Sequence, residues 1–559
     1  MNRIIKFFNS ESSGVHQAAY LLGFFAICSQ ILALVRDRIL ASQFGATNTL
    51  DLYYSAFRIP DLLFATIGSI VSISVLIPFL IENMKKGENE ARAFIDNVFS
   101  FFFCLMLVSS LVAYFATPTL LRFLFPYFTS HADFATLVTL TRILLLSPIF
   151  LGFSNFLASI TQIRRRYLLY ALSPVIYNFG IIFGIIFLYP KFGLTGLGVG
   201  VVIGAIFHFG IQLPSIVHDG FAPRLHFPIN FHTIKQIIYT SIPRTITVSS
   251  NELTELFLIS FASFLIPGSI SIFNFSFNLQ SVPFSIIGVS YSLAAFPILT
   301  RLFSEGSHEE FLDHMITSSR HIIFWSIPIS VLFIVLRAQI VRTLLGSGQF
   351  NWNDTRLTAA ALALFTVSLI AQNLVTLFVR AYYSRSKTYP PLVMNVLSSV
   401  FIVVLSYFLV HLFQHNLFFR NFIESLLKVS GIPGTVVLML PLGFSIGVIF
   451  NMIVHWIGFN AEFPTYSPKV LKVFFHSASA SIIMGYITYI CLNFFNTIFN
   501  LDTLIGIFLQ GLCSGFIGIA CGVLVLYFLD SRELTEIWQT FHKKIWKAKV
   551  VGPEAEEML

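Results

Sequence analysis

Three charged residues interrupt an apolar segment near the start of the chain. The stretch ILALVRDRILASQFGA places Arg36, Asp37 and Arg38 between two apolar runs, and Asp51 and Arg58 follow in the next apolar stretch. A charge at the bilayer centre costs about 3 kcal/mol on insertion scales, so such residues face a wet cavity or pair with one another. Guanidinium groups bind phosphates and carboxylates through charge-assisted hydrogen bonds. One hypothesis is therefore an anion-binding cavity. The alternative is that these side chains extend to water from the membrane interface.

A second polar group occurs about 200 residues later. Glu252 and Glu255 are three residues apart and share one helix face. Arg244 lies about two turns earlier, on roughly the same side. Two carboxylates in an apolar helix need a proton, a cation or an arginine partner. The pattern predicts either a cavity wall with a coupling-ion site or an ion pair with an arginine of another helix. Single polar residues elsewhere indicate interhelical hydrogen bonds, namely Arg142, Asn178 and Asn278.

The composition indicates that most of the protein surface contacts lipid. Of 559 residues, 56% are hydrophobic and only 11% are charged, against about a quarter charged in soluble proteins. We predict an all-α, polytopic membrane protein, because a spanning helix needs about 20 apolar residues and about fourteen such windows occur. The windows are 17–44, 51–82, 93–117, 134–162, 167–189, 194–217, 236–265, 269–300, 318–340, 355–382, 390–412, 435–459, 471–497 and 502–529.

The distribution of basic residues predicts the orientation of these helices. With a cytoplasmic N-terminus, most of the 34 Lys and Arg residues fall in inner loops and in the two tails. Both termini are therefore expected in the cytoplasm. The main inner clusters are Lys85/Lys86/Arg92, Arg164/Arg165/Arg166, Arg385/Lys387 and Lys543/Lys544/Lys547/Lys549. Because the basic residues are scattered over short loops, the net charge of +8 is a topology signal and does not indicate nucleic-acid binding.

The sequence contains no motif that argues for catalysis. It has no HExxH, P-loop, GxSxG or EF-hand pattern, and we expect neither an enzyme nor a cofactor or metal site. The five cysteines lie in apolar runs without CxxC spacing, so we read them as small buried hydrophobes. The run GLGVGVVIG (196–204) has no strand before it and predicts close helix packing by small residues.

Two features suggest how the chain is organised. Residues 39–57 resemble residues 259–277 in their spacing of Ala-Ser, Gly and Phe. This offset of about 220 residues is what two six-helix halves would give, a common transporter plan. The tail places Leu534, Trp538 and two further apolar residues, Phe541 and Ile545, at helical spacing opposite its lysines. We predict an amphipathic helix on the inner leaflet.

Five segments of the chain carry a recognisable pattern. The first is ILALVRDRILASQFGATNTLDLYYSAFRIPDLL, followed by LIPFL. The others are LLGSGQFNWNDTRLTAAAL, RAYYSRSKTYPP, SFASFLIPGSIS and FPILTRLFSEG. Together these segments resemble the family of lipid II flippases called MurJ or MviN, a branch of the multidrug/oligosaccharidyl-lipid/polysaccharide exporter superfamily. Arg36 and Asp37 match the family's R-D pair, and Asp51 and Arg58 match its span-2 Asp and the basic residue before I-P.

The resemblance implies two six-helix lobes around a central cationic cavity, plus two C-terminal helices with a groove for a lipid tail. It divides the chain into an N-terminal lobe at 1–217, a C-terminal lobe at 218–465, spans 13–14 with the groove at 466–530, and a cytoplasmic amphipathic tail at 531–559. It also implies alternating access in the bacterial cytoplasmic membrane, with a lipid-linked anionic glycan precursor and the bilayer as partners.

Three positions depart from the family pattern. Gln30, Phe64 and Asn278 stand where the family usually has arginines that are thought to engage the cargo's head group. Either other bases, such as Arg38 and Arg244, substitute for them, or this chain carries a different lipid-linked cargo.

We therefore expect a lipid II flippase with substrate contacts at six residues and ion coupling at two. The predicted substrate contacts are Arg36, Asp37, Arg38, Asp51, Arg58 and Arg244, and the predicted coupling residues are Glu252 and Glu255. The alternatives are a flippase for another lipid-linked oligosaccharide, a cation-coupled drug antiporter of the same superfamily, and a non-transporting scaffold that recruits cell-wall synthesis proteins.

Overall fold

The chain is helical throughout the part that the structure describes. The structure, a computed structural model, describes residues 15–70, 73–129, 133–163, 166–218 and 221–546, and none of these residues is in a β-strand. The predicted all-α class is therefore confirmed. Four residues of the charge analysis, Arg164, Arg165, Lys547 and Lys549, lie outside the described residues, and so does the tail after residue 546.

The first half of the chain contains helices α1 to α12. They are α1 Val15–Phe44, α2 Asn48–Ala56, α3 Arg58–Ile70, α4 Ile73–Lys86, α5 Glu88–Leu124, α6 Pro126–Thr129, α7 Phe134–Leu144, α8 Leu146–Ile163, α9 Tyr167–Phe183, α10 Tyr189–Phe192, α11 Leu194–Gly210 and α12 Leu213–His218. A π-helical segment, Gly184–Leu188, connects α9 to α10.

Helices α13 to α25 form the second half. They are α13 Phe231–Ser263, α14 Ser269–Phe284, α15 Ser290–Ser304, α16 His308–Val335, α17 Arg337–Leu345, α18 Trp352–Val367, α19 Leu369–Ser384, α20 Tyr389–His415, α21 Leu417–Leu427, α22 Met439–Glu462, α23 Tyr466–Phe495, α24 Leu504–Phe528 and α25 Arg532–Trp546. A π-helical segment, Ser285–Val289, follows α14, and a 3₁₀ segment, Thr435–Leu438, precedes α22.

Every predicted window coincides with one or more of these helices. Among the described residues, nine helical segments are long and apolar enough to cross a membrane, and ten if the pair α18 and α19, bent by 43°, forms one span. The count of fourteen stays a prediction. The second window is broken at Phe57, so that α3 begins at Arg58 and Pro60 lies in its first turn. Proline is tolerated there because first-turn N–H groups have no intrahelical partner.

The two segments of the weak repeat have similar local structures. In each, a long helix ends, a glycine with positive φ makes the turn and a new helix begins. Gly45 (φ 63°) lies between α1 and α2, and Gly268 (φ 93°) lies between α13 and α14. This left-handed conformation is readily adopted only by glycine. The lobe boundaries at residues 217 and 465 stay predictions.

Contacts within the chain define two compact units. Unit 1 comprises Met1–Val282, Val341–Phe365 and Ser386–Asn451, and unit 2 comprises Pro283–Ile340, Thr366–Arg385 and Met452–Leu559. In unit 1, α13 packs along α3 and α20, while α9 packs against α1 and α11. These contacts bring the charged stretches of α1, α3 and α13 into the same unit.

Glycines allow α9 and the π-helical segment that follows it to pack on α11 with their backbones in contact. A Cβ atom added to Gly184 would lie 2.7 Å from the Cα of Gly200, and one added to Gly180 would overlap Gly204. Small residues permit this approach in membrane helices. The small-residue packing predicted for residues 196–204 is confirmed.

Gly200→Leu is expected to destabilise unit 1 by at least about 3 kcal/mol, the upper range for overpacking, because no flexible side chain can move aside. Thermal unfolding in detergent measures the loss. Gly210→Leu is the matched control, since nothing lies within 4 Å of a Cβ atom there. Equal unfolding temperatures for the two variants would contradict the backbone-contact account.

Unit 2 has an aromatic core. The ring of Phe378 packs on Phe459 at 5.5 Å and on Tyr466 at 5.8 Å between centroids. The hydroxyl of Tyr466 is 2.8 Å from that of Ser319, so its burial is compensated by a hydrogen bond. Leu534 and Ile537 of the tail helix α25 pack against this core. Unit 2 therefore holds the start of the C-terminal tail.

A buried ion pair attaches α25 to unit 2. Glu533, 2% exposed, accepts hydrogen bonds from Arg320 and Ser531, the latter at 2.9 Å. The predicted amphipathic helix is present, and its Trp538 is 70% exposed. The side chains of Phe541 and Ile545 lie outside the described residues. Burial alone would raise the pKa of Glu533, but hydrogen bonds from its own backbone, Arg320 and Ser531 and the charge of Arg320 lower it below its ordinary value.

Glu533→Gln is expected to loosen α25, because removing one member of a buried ion pair costs about 3–5 kcal/mol. Since the pKa of Glu533 is lowered on folding, the pair stabilises docking above the ordinary glutamate pKa and loses this effect as pH falls through the lowered value. Amide hydrogen exchange of residues 532–546 at neutral pH measures the change. Glu305→Gln, at an exposed position, is the control. Unchanged exchange in Glu533→Gln would contradict the role of the pair.

Candidate functional site

Arg36 and Asp37 form an ion pair that joins three helices. The guanidinium of Arg36 donates to Asp37 at 2.9 Å and 2.8 Å and to the side-chain oxygen of Asn178 in α9 at 3.2 Å. The second oxygen of Asp37 accepts from Asn278 in α14 at 3.0 Å. Asp37 is 3% exposed, whereas 21% of the Arg36 side chain remains accessible. The interhelical hydrogen bonds predicted for Asn178 and Asn278 are confirmed.

Arg58 makes a second interhelical cluster. One terminal nitrogen lies 2.5 Å from the carboxylate of Glu255 in α13, and the other donates to the side-chain oxygen of Asn274 in α14 at 3.2 Å. Arg58 is 8% exposed, and 23% of the Glu255 side chain is accessible. For Glu252 and Glu255 the sequence predicts either a coupling-ion site or an ion pair with an arginine of another helix. The ion pair is confirmed for Glu255.

Both arginines line one cavity of about 460 Å³ within unit 1. Five stretches of chain build its wall, from α1, the α2–α3 region, α9, α13 and α14. Its polar lining residues are Arg36, Tyr53, Tyr54, Arg58, Asp61, Tyr177, Glu252, Glu255, Asn274 and Asn278. Helices that are apolar overall thus turn five charged side chains toward the same space, namely Arg36, Arg58, Asp61, Glu252 and Glu255.

Carboxylates outnumber guanidiniums on this wall. Arg36 and Arg58 face Asp61, Glu252 and Glu255. Each arginine already has a carboxylate partner, Asp37 for Arg36 and Glu255 for Arg58. Among the described residues, no group of three or more His, Cys, Asp and Glu side chains is arranged so that it could hold a metal ion. The cavity is therefore chemically mixed, with guanidinium donors and surplus carboxylate acceptors.

Asp51 caps a helix instead of facing this cavity. Its carboxylate accepts hydrogen bonds from the backbone N–H of Gly268 at 2.6 Å and from the N–H and hydroxyl of Ser271 at 2.8 Å and 2.6 Å. These donors lie at the start of α14, where N–H groups have no intrahelical partner. Asp51 is 4% exposed.

The other two predicted contacts lie apart from the cavity wall. Arg38 donates to the backbone oxygens of Thr343 at 2.6 Å and Leu344 at 3.2 Å, near the end of α17. Basic side chains commonly satisfy the last carbonyls of a helix in this way. Arg244 is half-buried in α13, two turns before Glu252.

Comparison with known proteins decides the family. The family model described as lipid II flippase MurJ matches residues 40–509. The chain belongs to the MurJ lipid II flippase family. It is 26% identical over 393 residues to the probable lipid II flippase MurJ of Buchnera aphidicola subsp. Acyrthosiphon pisum, covering 70% of this chain and 77% of that protein. The family resemblance predicted from the motifs is confirmed.

The fold of this MurJ family member resembles that of solved transporters. A structure of lipid II flippase MurJ in an inward closed conformation aligns with a TM-score of 0.71 and 23% identity, covering 93% of this chain and all of that one. An inward-facing multidrug resistance MATE family transporter of the MOP superfamily aligns with a TM-score of 0.61 and 17% identity, covering 79% and 95%. The chain therefore shares its overall fold with both of these proteins.

Two of the three departures from the MurJ pattern lie on the cavity wall. Phe64 and Asn278, where the resemblance implies arginines, line the cavity, and Asn278 donates to Asp37. Gln30 is half-buried in α1. On the pattern that the resemblance implies, an aromatic ring and an amide stand at two cavity positions where arginines are expected.

Several cavity residues are not among those predicted from the sequence. Asp61 lies three residues after Arg58, so the spacing alone could have placed both on one face of α3. Tyr53, Tyr54 and Tyr177 lie in apolar windows, where a tyrosine gives no signal that distinguishes a cavity wall from a packed core. Their position follows only from the way α2 and α9 pack.

Proposed function

We propose that this chain translocates lipid II from the inner to the outer leaflet of the bacterial cytoplasmic membrane by alternating access, with both termini in the cytoplasm. The observation that carries the proposal is that two arginines from separate apolar helices, Arg36 and Arg58, line one cavity in a chain of the MurJ family. A diphosphate head group cannot cross about 30 Å of hydrocarbon without such a path.

In this proposal, the arginines replace the hydration of the diphosphate. Guanidinium groups present paired donors that match phosphate oxygens. Because Arg36 and Arg58 already have carboxylate partners, binding requires an exchange in which phosphate oxygens take over donors now used by Asp37 and Glu255. Asp37 would otherwise orient Arg36. Arg38 and Arg244 remain proposed secondary contacts, and Asp51 acts by holding α14.

The proposal keeps the domain assignment implied by the family. Residues 1–217 and 218–465 would form the two lobes, 466–530 the groove that leaves the lipid tail in the bilayer, and 531–559 the cytoplasmic tail. With the head group in a water-filled cavity and the tail in lipid, the charged head group does not enter hydrocarbon and the apolar tail does not enter water. Cell-wall synthesis proteins remain candidate partners.

Reconstitution tests the function. Purified protein in liposomes is expected to move fluorescent lipid II between leaflets, measured by accessibility to a membrane-impermeant quencher. Arg36→Ala should slow the movement, because this guanidinium is accessible in the cavity. Arg301→Ala, at an exposed position outside the cavity lining, should leave the rate unchanged. Wild-type protein that moves no more lipid II than protein-free liposomes would reject the proposal.

Glu252 is the proposed coupling residue. It lines the cavity beside Glu255, and its carboxylate forms no ion pair within the described residues. Glu252→Gln is expected to abolish the response of transport to an imposed ion or proton gradient, because a neutral amide cannot exchange a cation. Rates with and without the gradient measure the effect. A variant that responds like the wild type would remove Glu252 from coupling.

The excess of carboxylates favours a second candidate function, a cation-coupled drug antiporter of the same superfamily. Such a cavity would depend on Glu252 and tolerate loss of Arg36 and Arg58. Transport of a fluorescent organic cation that is lost in Glu252→Gln but kept in Arg58→Ala would favour this candidate over the flippase.

A further inference from the structure

Two carboxylates on the cavity wall form no ion pair of their own within the described residues, and Arg58 is the nearby cation that they share with Glu255. Arg36 and Arg58 are paired with Asp37 and Glu255, whereas Asp61 and Glu252 make no ion pair within the described residues. The three carboxylates of the wall, Asp61, Glu252 and Glu255, are close enough to interact by charge. Like charges in a partly desolvated space are costly unless a cation or proton joins them.

The same wall is rich in aromatic rings. Tyr53 packs on Tyr54 at 5.6 Å and on Phe57 at 5.0 Å between centroids, and Tyr177 and Phe277 also line the cavity. Ring faces attract cations, and ammonium groups are commonly held by such rings. Carboxylates beside aromatic faces therefore suit an organic cation better than an anion.

Tyr54 supplies an independent sign that a ligand is expected. Its side chain lines the cavity, the residue is only 8% exposed, and its hydroxyl has no hydrogen-bond partner among the described residues. Buried hydroxyls are nearly always hydrogen-bonded, so an orphaned one at a cavity needs an explanation. A ligand group with an N–H donor would satisfy this oxygen.

We propose that the cavity binds an ammonium group carried by the cargo, between the carboxylates of Asp61 and Glu252 and the rings of Tyr53, Tyr54 and Tyr177. This inference rests on the proposed lipid-flippase function and names a second chemical requirement of the same site. A lipid-linked diphosphate whose peptide carries a free amine would meet guanidinium on one side of the cavity and carboxylate on the other.

The proposal explains how a cavity with more carboxylates than guanidiniums can accept an anionic cargo. A diphosphate alone would be repelled by the unpaired carboxylates, whereas a cargo with both charges neutralises them. A compact ammonium also suits this site better than a metal ion, which needs a closer cluster of ligands than the described residues provide. The cargo amine and a coupling proton would then neutralise the carboxylates in turn, which provides a route for exchange.

Equilibrium binding with matched cargos tests the inference. The probes are a lipid-linked diphosphate disaccharide whose peptide has a free side-chain amine, and the same compound with that amine acetylated. The dissociation constant of each probe is measured for purified protein in nanodiscs, without an ion or proton gradient. The quantity compared is the ratio of the constant for the acetylated probe to that for the free amine. Wild-type protein is expected to bind the acetylated probe about tenfold more weakly, the loss expected for one desolvated charge-assisted contact with cation–π support.

Two variants locate the contact. In Glu252→Gln and Asp61→Asn the ratio is expected to fall toward one, whatever the absolute affinity, while Glu305→Gln, at an exposed position, should keep the wild-type ratio. A ratio near one in wild-type protein would overturn the ammonium site while leaving the flippase proposal intact. Failure to bind or move either lipid would instead count against the flippase. Tetraethylammonium binding that depends on Glu252, without lipid binding, would overturn the assignment to cargo and favour a free organic cation.

Discussion

Arg58→Ala is expected to reduce lipid II translocation by at least about 100-fold, because one change removes a cavity donor and leaves a carboxylate unpaired. Arg58 is 8% exposed and connects α3 to Glu255 in α13 and Asn274 in α14. Truncating one partner of a desolvated, hydrogen-bonded charge pair with a ligand costs about 2–5 kcal/mol of binding free energy, and about 3 kcal/mol corresponds to a factor of about 100. Initial rates in proteoliposomes at matched protein content measure the loss.

A double variant separates structural from substrate roles. Arg58→Ala with Glu255→Gln removes both charges, so it should recover most of the thermal stability that Arg58→Ala loses. If the guanidinium binds the head group, translocation should stay low in the recovered protein. Recovery of transport together with stability would show that Arg58 serves only to neutralise Glu255, and wild-type transport in Arg58→Ala alone would contradict both roles. Arg301→Ala controls for loss of an exposed positive charge.

Much of the fold follows from hydropathy. Each apolar window coincides with a helix because a backbone in lipid must satisfy its hydrogen bonds within the segment. A charged side chain in such a window must either face water or pair with another charge, so the sequence predicts Arg36 and Arg58 at a polar cavity. Close packing at residues 196–204 was predictable because only glycine permits the contact between Gly184 and Gly200.

The sequence pattern does not predict the hydrogen-bond partners of the charged side chains or the interruptions within the helices. Nothing in the spacing around Asp51 distinguishes a cavity carboxylate from a helix cap, since the answer depends on Gly268 and Ser271 more than 200 residues away. Similarly, Arg38 meets backbone oxygens that only tertiary packing brings near. Window 269–300 gave no sign of its π-helical segment, Ser285–Val289. Local periodicity determines which face is polar, whereas tertiary contacts determine what that face meets.

Asp51 affects the cavity through the position of α14. That helix supplies Asn274, which binds Arg58, and Asn278, which binds Asp37. Its first turn is held by the Asp51 carboxylate, through Gly268 and Ser271. Because the cap comes from α2 and not from α14 itself, it fixes the two helices relative to each other. Loss of the cap should therefore disturb both arginine clusters at once.

Asp51→Ala is expected to destabilise the protein by roughly 3 kcal/mol or more, since three donors at a buried site lose their acceptor and each unsatisfied group costs about 1–3 kcal/mol. Ser271→Ala, which removes only the hydroxyl bond, should cost about 1 kcal/mol. Thermal unfolding in detergent and translocation, measured on the same samples, should fall together. An Asp51→Ala protein that unfolds at the wild-type temperature yet transports nothing would contradict the capping role and favour direct contact between Asp51 and the cargo.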